Sequence, residues 1–265
     1  MPDTYNMNKG VQFFYGDGSG ENYSSISDFG LRLESEIIGF PEANSSLDSY
    51  SAFFGRQYEL TPVEYGRRRL VFNFGLKGVT WQWPAQIKNL TEKIHGKKFK
   101  IVLTSDPDYY YIGRCFVASY ERALRIGKVQ VIVDAEPYKV KKTATTVTTT
   151  TDKLINFTNA SEFDTPGDIV ITPTSTSGTM TIYCTARLTP ASSNYLTIWS
   201  INVGVTGETI HLDGVNKRIY VGTSLVQAEV QRSFPFFKPG VNNVYIRPTS
   251  LSVSSTVIKY SERSM

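Results

Sequence analysis

Apolar and polar residues alternate with a period of two in several short stretches of the chain. Leu70, Phe72, Phe74 and Leu76 alternate with Val71, Asn73 and Gly75. Phe99, Ile101 and Leu103 alternate with Lys100, Val102 and Thr104, and Val129, Val131 and Val133 with Gln130, Ile132 and Asp134. Successive side chains of a strand point to opposite faces, so each run predicts a strand with one buried face. Helical spacing occurs at Trp83, Ile87, Leu90 and Ile94. Pro84 sits in the first turn, where its missing N–H costs nothing, and Gly96 follows His95 as a C-terminal stop. Residues 36–64 are less periodic and predict an extended arm or a long loop rather than core.

After Pro137 and Tyr138 the composition changes to KVKKTATTVTTTT, residues 139–151. This run has no apolar face long enough to make a core, so it predicts an extended linker or an edge strand beside one. The expected division is residues 1–138 and 139–265, with the linker at about 139–152. Beyond it short apolar runs follow one another: Ile169 and Ile171; Met180, Ile182, Cys184 and Ala186; Leu196 and Ile198; Ile201, Val203 and Val205. Asp213-Gly214, between residues 209–212 and 217–221, predicts a hairpin, because tight hairpin turns need positive φ. Pro239-Gly240 introduces residues 244–246, and Val253 with residues 256–260 supplies a last hairpin. Evenly spaced short strands with turn residues between them predict a β-sandwich or jelly roll. The fold class is mainly β.

Composition narrows the function. Of 265 residues, 40% are hydrophobic and 20% charged, as in a globular chain, and abundant Tyr, Thr and Ser favour strands and turns. The net charge of +4 comes from acidic and basic residues that alternate along the sequence. That argues against a concentrated nucleic-acid-binding face. Cys115 and Cys184 lie far apart in strand-like runs, so no disulfide framework is expected, which suits folding in a reducing cytoplasm. The start, MPDTYNMNKG, lacks a signal-peptide pattern, and no apolar run approaches the ~20 residues of a membrane helix; a secreted or membrane-spanning protein is not expected.

The candidates for chemistry are few. His95 and His211 fall in different predicted domains, and no cysteine pair has metal-ligand spacing. At a helix C-terminus, His95 would favour the dipole as a cation, and His211 falls in a strand. The GDGSG run, residues 16–20, lacks the following helix that anion binding needs and predicts a hairpin loop. Asp106, Asp108 and the Tyr109-Tyr110-Tyr111 triplet predict a turn leading into a strand rather than a calcium or sugar site. Glu34, Glu36, Asp134 and Glu136 are carboxylates without a defined pairing. No GxSxG elbow is present. No enzyme, metal or cofactor is expected.

At the level of motifs the whole chain resembles the distal tail proteins (Dit) of siphophages that infect Gram-positive bacteria. In the first domain the likeness lies in SDFGLRLES (27–35), YYYIGRCFVASYE (109–121) and VQVIVDAEPYKV (129–140). In the second it lies in FDTPGDIVITP (163–173), ETIHLDGVNKRIYV (208–221) and FPFFKPGVNNVYI (234–246). The resemblance implies an N-terminal β-sandwich with one helix and a β-hairpin, then a galectin-like β-sandwich. It implies a homohexameric ring at the tail tip that joins the tail tube or terminator side to the tail-associated lysin, fibre or receptor-binding protein. DNA would pass through the lumen, with no membrane partner, in a virion assembled in the host cytoplasm. Galectin-like folding does not bring sugar binding with it. No cluster of His, Asn, Arg and Trp is evident in the second domain, so a docking platform is expected there. Tyr50, Phe53, Phe54 and Tyr58 are the candidate interface, on an arm packed against a neighbour or, equally, packed locally. The competing functions are a carbohydrate-binding module using Trp199 or Tyr195 and an enzyme acting on wall polysaccharide.

Overall fold

The period-two runs pair into antiparallel sheets in the computed structural model, which describes residues 9–15, 21–44, 64–76, 78–123, 126–150, 154–175, 177–185, 194–202, 208–227, 229–231, 234, 236–249 and 252–265. The chain forms two compact units, Met1–Lys139 and Val140–Ser264. The fold is mainly β with one helix among the described residues, as expected.

The first unit contains β1 (Val11–Tyr15), β2 (Tyr23–Ser24), β3 (Leu31–Ile38), β4 (Ala43–Asn44), β5 (Glu64–Tyr65), β6 (Arg68–Leu76), α1 (Trp83–Ile94), β7 (Lys98–Leu103), β8 (Asp106–Ala123) and β9 (Ile126–Ala135). Its main sheet runs β2-β1-β7-β8-β9-β6-β3. Across β6 and β9, Leu70 faces Val133, Phe72 faces Val131 and Phe74 faces Val129, so the apolar halves of both runs share one face. The remainder of that face comes from Phe99 and Ile101 on β7 and Cys115 on β8. Leu90 and Ile94 of α1 close over it, fully buried. Each such side chain contributes about 1.5–3 kcal/mol on burial. Gly96 ends the helix with φ +74°, and its N–H donates to Cys115 O at 2.7 Å, tying the helix end to the sheet.

The second unit is a sandwich. After β10 (Lys139–Lys141), which spans the boundary, come β11 (Thr145–Thr149), β12 (Leu154–Asn159), β13 (Thr165–Pro166), β14 (Asp168–Pro173), β15 (Ser177–Thr185), β16 (Asn194–Asn202), β17 (Ile210–Asp213), β18 (Arg218–Val221), β19 (Ser224–Leu225), β20 (Glu229–Gln231), β21 (Phe236–Phe237), β22 (Gly240–Thr249), β23 (Val253–Tyr260) and β24 (Arg263–Ser264). One sheet runs β11-β23-β14-β17-β18-β19 and the other β12-β22-β15-β16-β20. Ile169, Ile171, Ile210, Leu212 and Ile258 from the first meet Ile155, Met180, Ile182, Val244 and Ile246 from the second in a single core. Thr145–Thr149, within the threonine-rich run, is an edge strand on β23. The described residues of β12, a strand that the apolar pattern did not predict, bury Ile155 and Asn159. Asn159 is satisfied there: its amide donates to Phe237 O at 3.1 Å and its oxygen accepts from Ser161 N–H at 3.1 Å.

The hairpin expected at Asp213-Gly214 is present, joining β17 to β18, but its glycine does not supply the positive φ. That role falls to Lys217, at φ 54°. Asp213 shapes the turn by accepting from Asn216 N–H at 2.8 Å and from the Asn216 amide at 2.7 Å. Gly214 is required for another reason: an added Cβ would run into the Gly167 carbonyl oxygen. Its N–H donates to Asp168 Oδ1 at 3.1 Å. Gly214→Ala is therefore expected to cost about 1–3 kcal/mol and lower the melting temperature by several degrees. Val215→Ala, at an exposed neighbour, is expected to leave it within the scatter of surface substitutions. Equal melting of both variants by circular dichroism would contradict the close approach.

Candidate assembly surface

In the first unit the outer strand of the sheet, β3, leaves backbone and apolar groups open, and the short β4–β5 ladder follows it. The β3–β6 ladder runs on past Ile38. Gly39 N–H donates to Arg69 O at 2.9 Å and Gly66 N–H to Glu42 O at 2.8 Å. Ala43 then faces Tyr65 and Asn44 faces Glu64, so β4 and β5 form a short ladder at the base of residues 45–63. Tyr65 meets Tyr138 edge-on at 6.3 Å, and Arg67 pairs with Asp134 at 2.5 Å. That ion pair is largely solvated and contributes little. Tyr50, Phe53, Phe54 and Tyr58 lie beyond this base, outside the described residues.

Ile37, Ile38 and Phe40 lie next to one another on β3 and just after it, and expose 59%, 37% and 85% of their surface. Sequence reasoning placed the less periodic stretch from Glu36 onward in an arm or loop and did not single these residues out. The doublet Ile37-Ile38 was the available signal, because adjacent apolar residues on a strand point to opposite faces and cannot both enter one core.

The tyrosine triplet is structural. Each ring carries a cation: Lys139 over Tyr109 at 4.4 Å, Lys100 over Tyr110 at 5.3 Å and Arg68 over Tyr111 at 5.6 Å. The turn expected at Asp106-Pro107 lies one step earlier, at Thr104-Ser105, and Asp106 opens β8. Asp106 accepts from Lys139 Nζ at 2.9 Å. Burial pulls the Lys139 ammonium down, but this bond together with the charge interactions of Asp106, Tyr111 and Tyr109 outweighs it and leaves the group above its ordinary range. Burial raises the Tyr111 hydroxyl.

The remaining candidates for chemistry do not come together. His95 Nδ1 accepts the Val117 N–H at 3.1 Å, and its ring meets Phe116 edge-on at 5.9 Å. It acts here as a hydrogen-bond acceptor bridging helix end and sheet, a role other than the expected cation at the dipole. His211 stacks on Tyr220 across β17 and β18. Glu34 pairs loosely with Lys128 at 3.9 Å, Asp134 with Arg67, Glu136 with Lys98 at 3.0 Å, and Glu36 accepts from Ser105 Oγ at 3.1 Å. Among the described residues no group of three or more His, Cys, Asp or Glu is placed to hold a metal ion. The GDGSG run lies outside them. Tyr195 and Trp199 lie on β16.

Burial pushes the Cys115 thiol up to about 12. The thiolate is the reactive form, so Cys115 is expected to resist iodoacetamide in the native protein at pH 8 and to react once unfolded. Peptide mass spectrometry reads this residue apart from Cys184, and native labelling of Cys115 would contradict its burial.

No family model and no curated protein matches the sequence. Solved structures do. The Dit protein of phage SPP1, described as a paradigm of the hub adsorption apparatus in phages infecting Gram-positive bacteria, aligns with a TM-score of 0.71 and 16% identity over 96% of this chain and 99% of that one. A chain of the phage P2 baseplate, in its activated conformation with Ca, aligns with a TM-score of 0.50 and 8% identity over 97% of this chain and 98% of its own. At these identities the likeness is one of fold, and it extends along nearly the whole chain.

Proposed function

We propose that this chain is a non-enzymatic hub subunit of a phage tail tip, whose copies close into a homohexameric ring. The observation that carries the proposal is the fold shared end to end with a phage hub protein, at a TM-score of 0.71. The interior supports it, since both cores are filled by apolar side chains and the described carboxylates discussed above are held in ion pairs or hydrogen bonds. A head-to-tail contact that closes needs two unlike patches on each subunit and no catalytic pocket. The first unit, with its sheet and arm, forms the ring. The second is a galectin-like sandwich that serves as a docking platform.

In this reading one side of the ring meets the tail tube or terminator proteins. The other meets the tail-associated lysin, fibre or receptor-binding protein, and DNA crosses the lumen in transit. The ring belongs to the virion and assembles in the host cytoplasm. Tyr50, Phe53, Phe54 and Tyr58 pack the arm on a neighbouring copy. Native mass spectrometry of the full chain is expected to give a hexamer, and deletion of residues 47–58 to give smaller species. An unchanged hexamer after deletion removes the arm from the interface. A strict monomer at high concentration, alone and beside tail partners, overturns the hub.

A further inference from the structure

We propose that the outer face of the five-stranded sheet in the second unit binds a neutral glycan chain laid across its strands, a function beside assembly. Cross-strand neighbours share a face, and in this sheet Ile155, Met180, Ile182, Val244 and Ile246 take the inner one. The residues between them belong to the outer face. Leu154 pairs there with Tyr245, Tyr245 with Tyr183, and Tyr183 with Tyr195. One leucine and three tyrosines thus occupy a single level on four adjacent strands, β12, β22, β15 and β16. Neighbouring strands lie about 4.8 Å apart, so the three tyrosine positions span about 10 Å. That line suits a linear chain of pyranose rings, whose apolar C–H faces pack on aromatic side chains while their hydroxyls reach to either side.

The levels on either side supply partners for those hydroxyls. On one side Asn156 pairs with Asn243. Asn243 is 2% exposed, and its side-chain carbonyl oxygen has no hydrogen-bond partner among the described residues. A buried acceptor left without a donor is costly, and a sugar hydroxyl is a donor. On the other side Arg247 pairs with Thr181, Thr181 with Thr197, and Thr197 with Glu229. Arg247 and Glu229 are the charged residues named at these three levels, and they cancel. A polyanion such as nucleic acid would need an excess of cations here. A docked protein needs about 800 Å² with an apolar centre, whereas this apolar level is one residue wide between two polar ones. A neutral, hydroxyl-rich chain matches both the charge and the width.

The test uses the full chain on an array of neutral linear oligosaccharides that includes the malto-, cello- and chito- series. Calorimetric titration with a series that binds is expected to show affinity rising from monosaccharide to trisaccharide, with little dependence on salt. Tyr245→Ala is expected to weaken binding roughly tenfold or more, whereas Tyr245→Phe, which keeps the ring, stays close to the parent. Arg247→Ala, at an exposed position with little risk to folding, is expected to weaken it about fivefold. Melting temperatures show that each variant folds. Absence of binding across the array, an affinity that does not grow with chain length, or binding that Tyr245→Ala leaves unchanged overturns the inference. So does protection of this face by a tail protein in hydroxyl-radical footprinting with no glycan bound, which assigns it to protein docking. None of these readouts depends on the ring, so this inference and the ring reading fail separately.

Discussion

A β-sheet satisfies the backbone of every interior strand and leaves the backbone of its outer strands half-satisfied. That constraint organises the first unit. β7, β8, β9 and β6 each have a partner on both sides, and their apolar halves meet on the one face that α1 covers. The helix is fixed by Leu90 and Ile94 in the core and by Gly96, which reaches the β8 carbonyl of Cys115. Among the described residues β3 remains an outer strand with one side open. The residues there, Ile37, Ile38 and Phe40, carry part of the apolar surface that the core does not use. The proposed ring follows from that imbalance: a rigid, closed interior beside an unfinished edge.

The second unit solves the same constraint in another way, by stacking two sheets over one core. Its rigidity depends on a few tight approaches. Phe237 lies edge-on to Phe157 with centroids 4.9 Å apart, and edge-on to Tyr260 at 5.6 Å. Gly167 has no side chain because the Phe237 ring occupies the space a Cβ would take, and Gly214 lies against the backbone of Gly167 in turn. Asn242 closes the turn that follows, accepting from Lys238 N–H at 2.9 Å and donating to Gly240 O at 2.9 Å. A sandwich held in this way presents its outer faces in fixed positions, as the proposed docking role demands.

Much of the core was legible in the residues. The alternation in β6, β7 and β9 and the helical stripe from Trp83 to Ile94 depend only on side-chain period, and tertiary packing preserved them. Three features were not legible. β12 escaped notice because LINFTN mixes polar residues into a buried strand, and Asn159 is buried only because Phe237 and Ser161 satisfy it. The Asp213-Gly214 pair signals a dihedral requirement, whereas the need for glycine at 214 comes from a contact with Gly167, distant in sequence. His95 was read from its place at a helix end, whereas the Val117 N–H that it accepts comes from another strand. In each case the deciding partner was remote along the chain. The apolar doublet on β3 was visible, yet its meaning needed the strand order that leaves β3 outermost.

The chemistry of the described side chains is consistent with a protein that works through surfaces. The carboxylates described above are held in ion pairs or hydrogen bonds, burial pushes the Cys115 thiol up, and the tyrosine triplet braces the start of β8 against Lys139, Lys100 and Arg68. The central claim is that copies of this chain close around an axis and leave a passage through the middle. Class-averaged electron images of the purified protein test it most directly. The account predicts a ring of six-fold symmetry with an open centre; compact single particles without a hole, at every concentration tried, would contradict it.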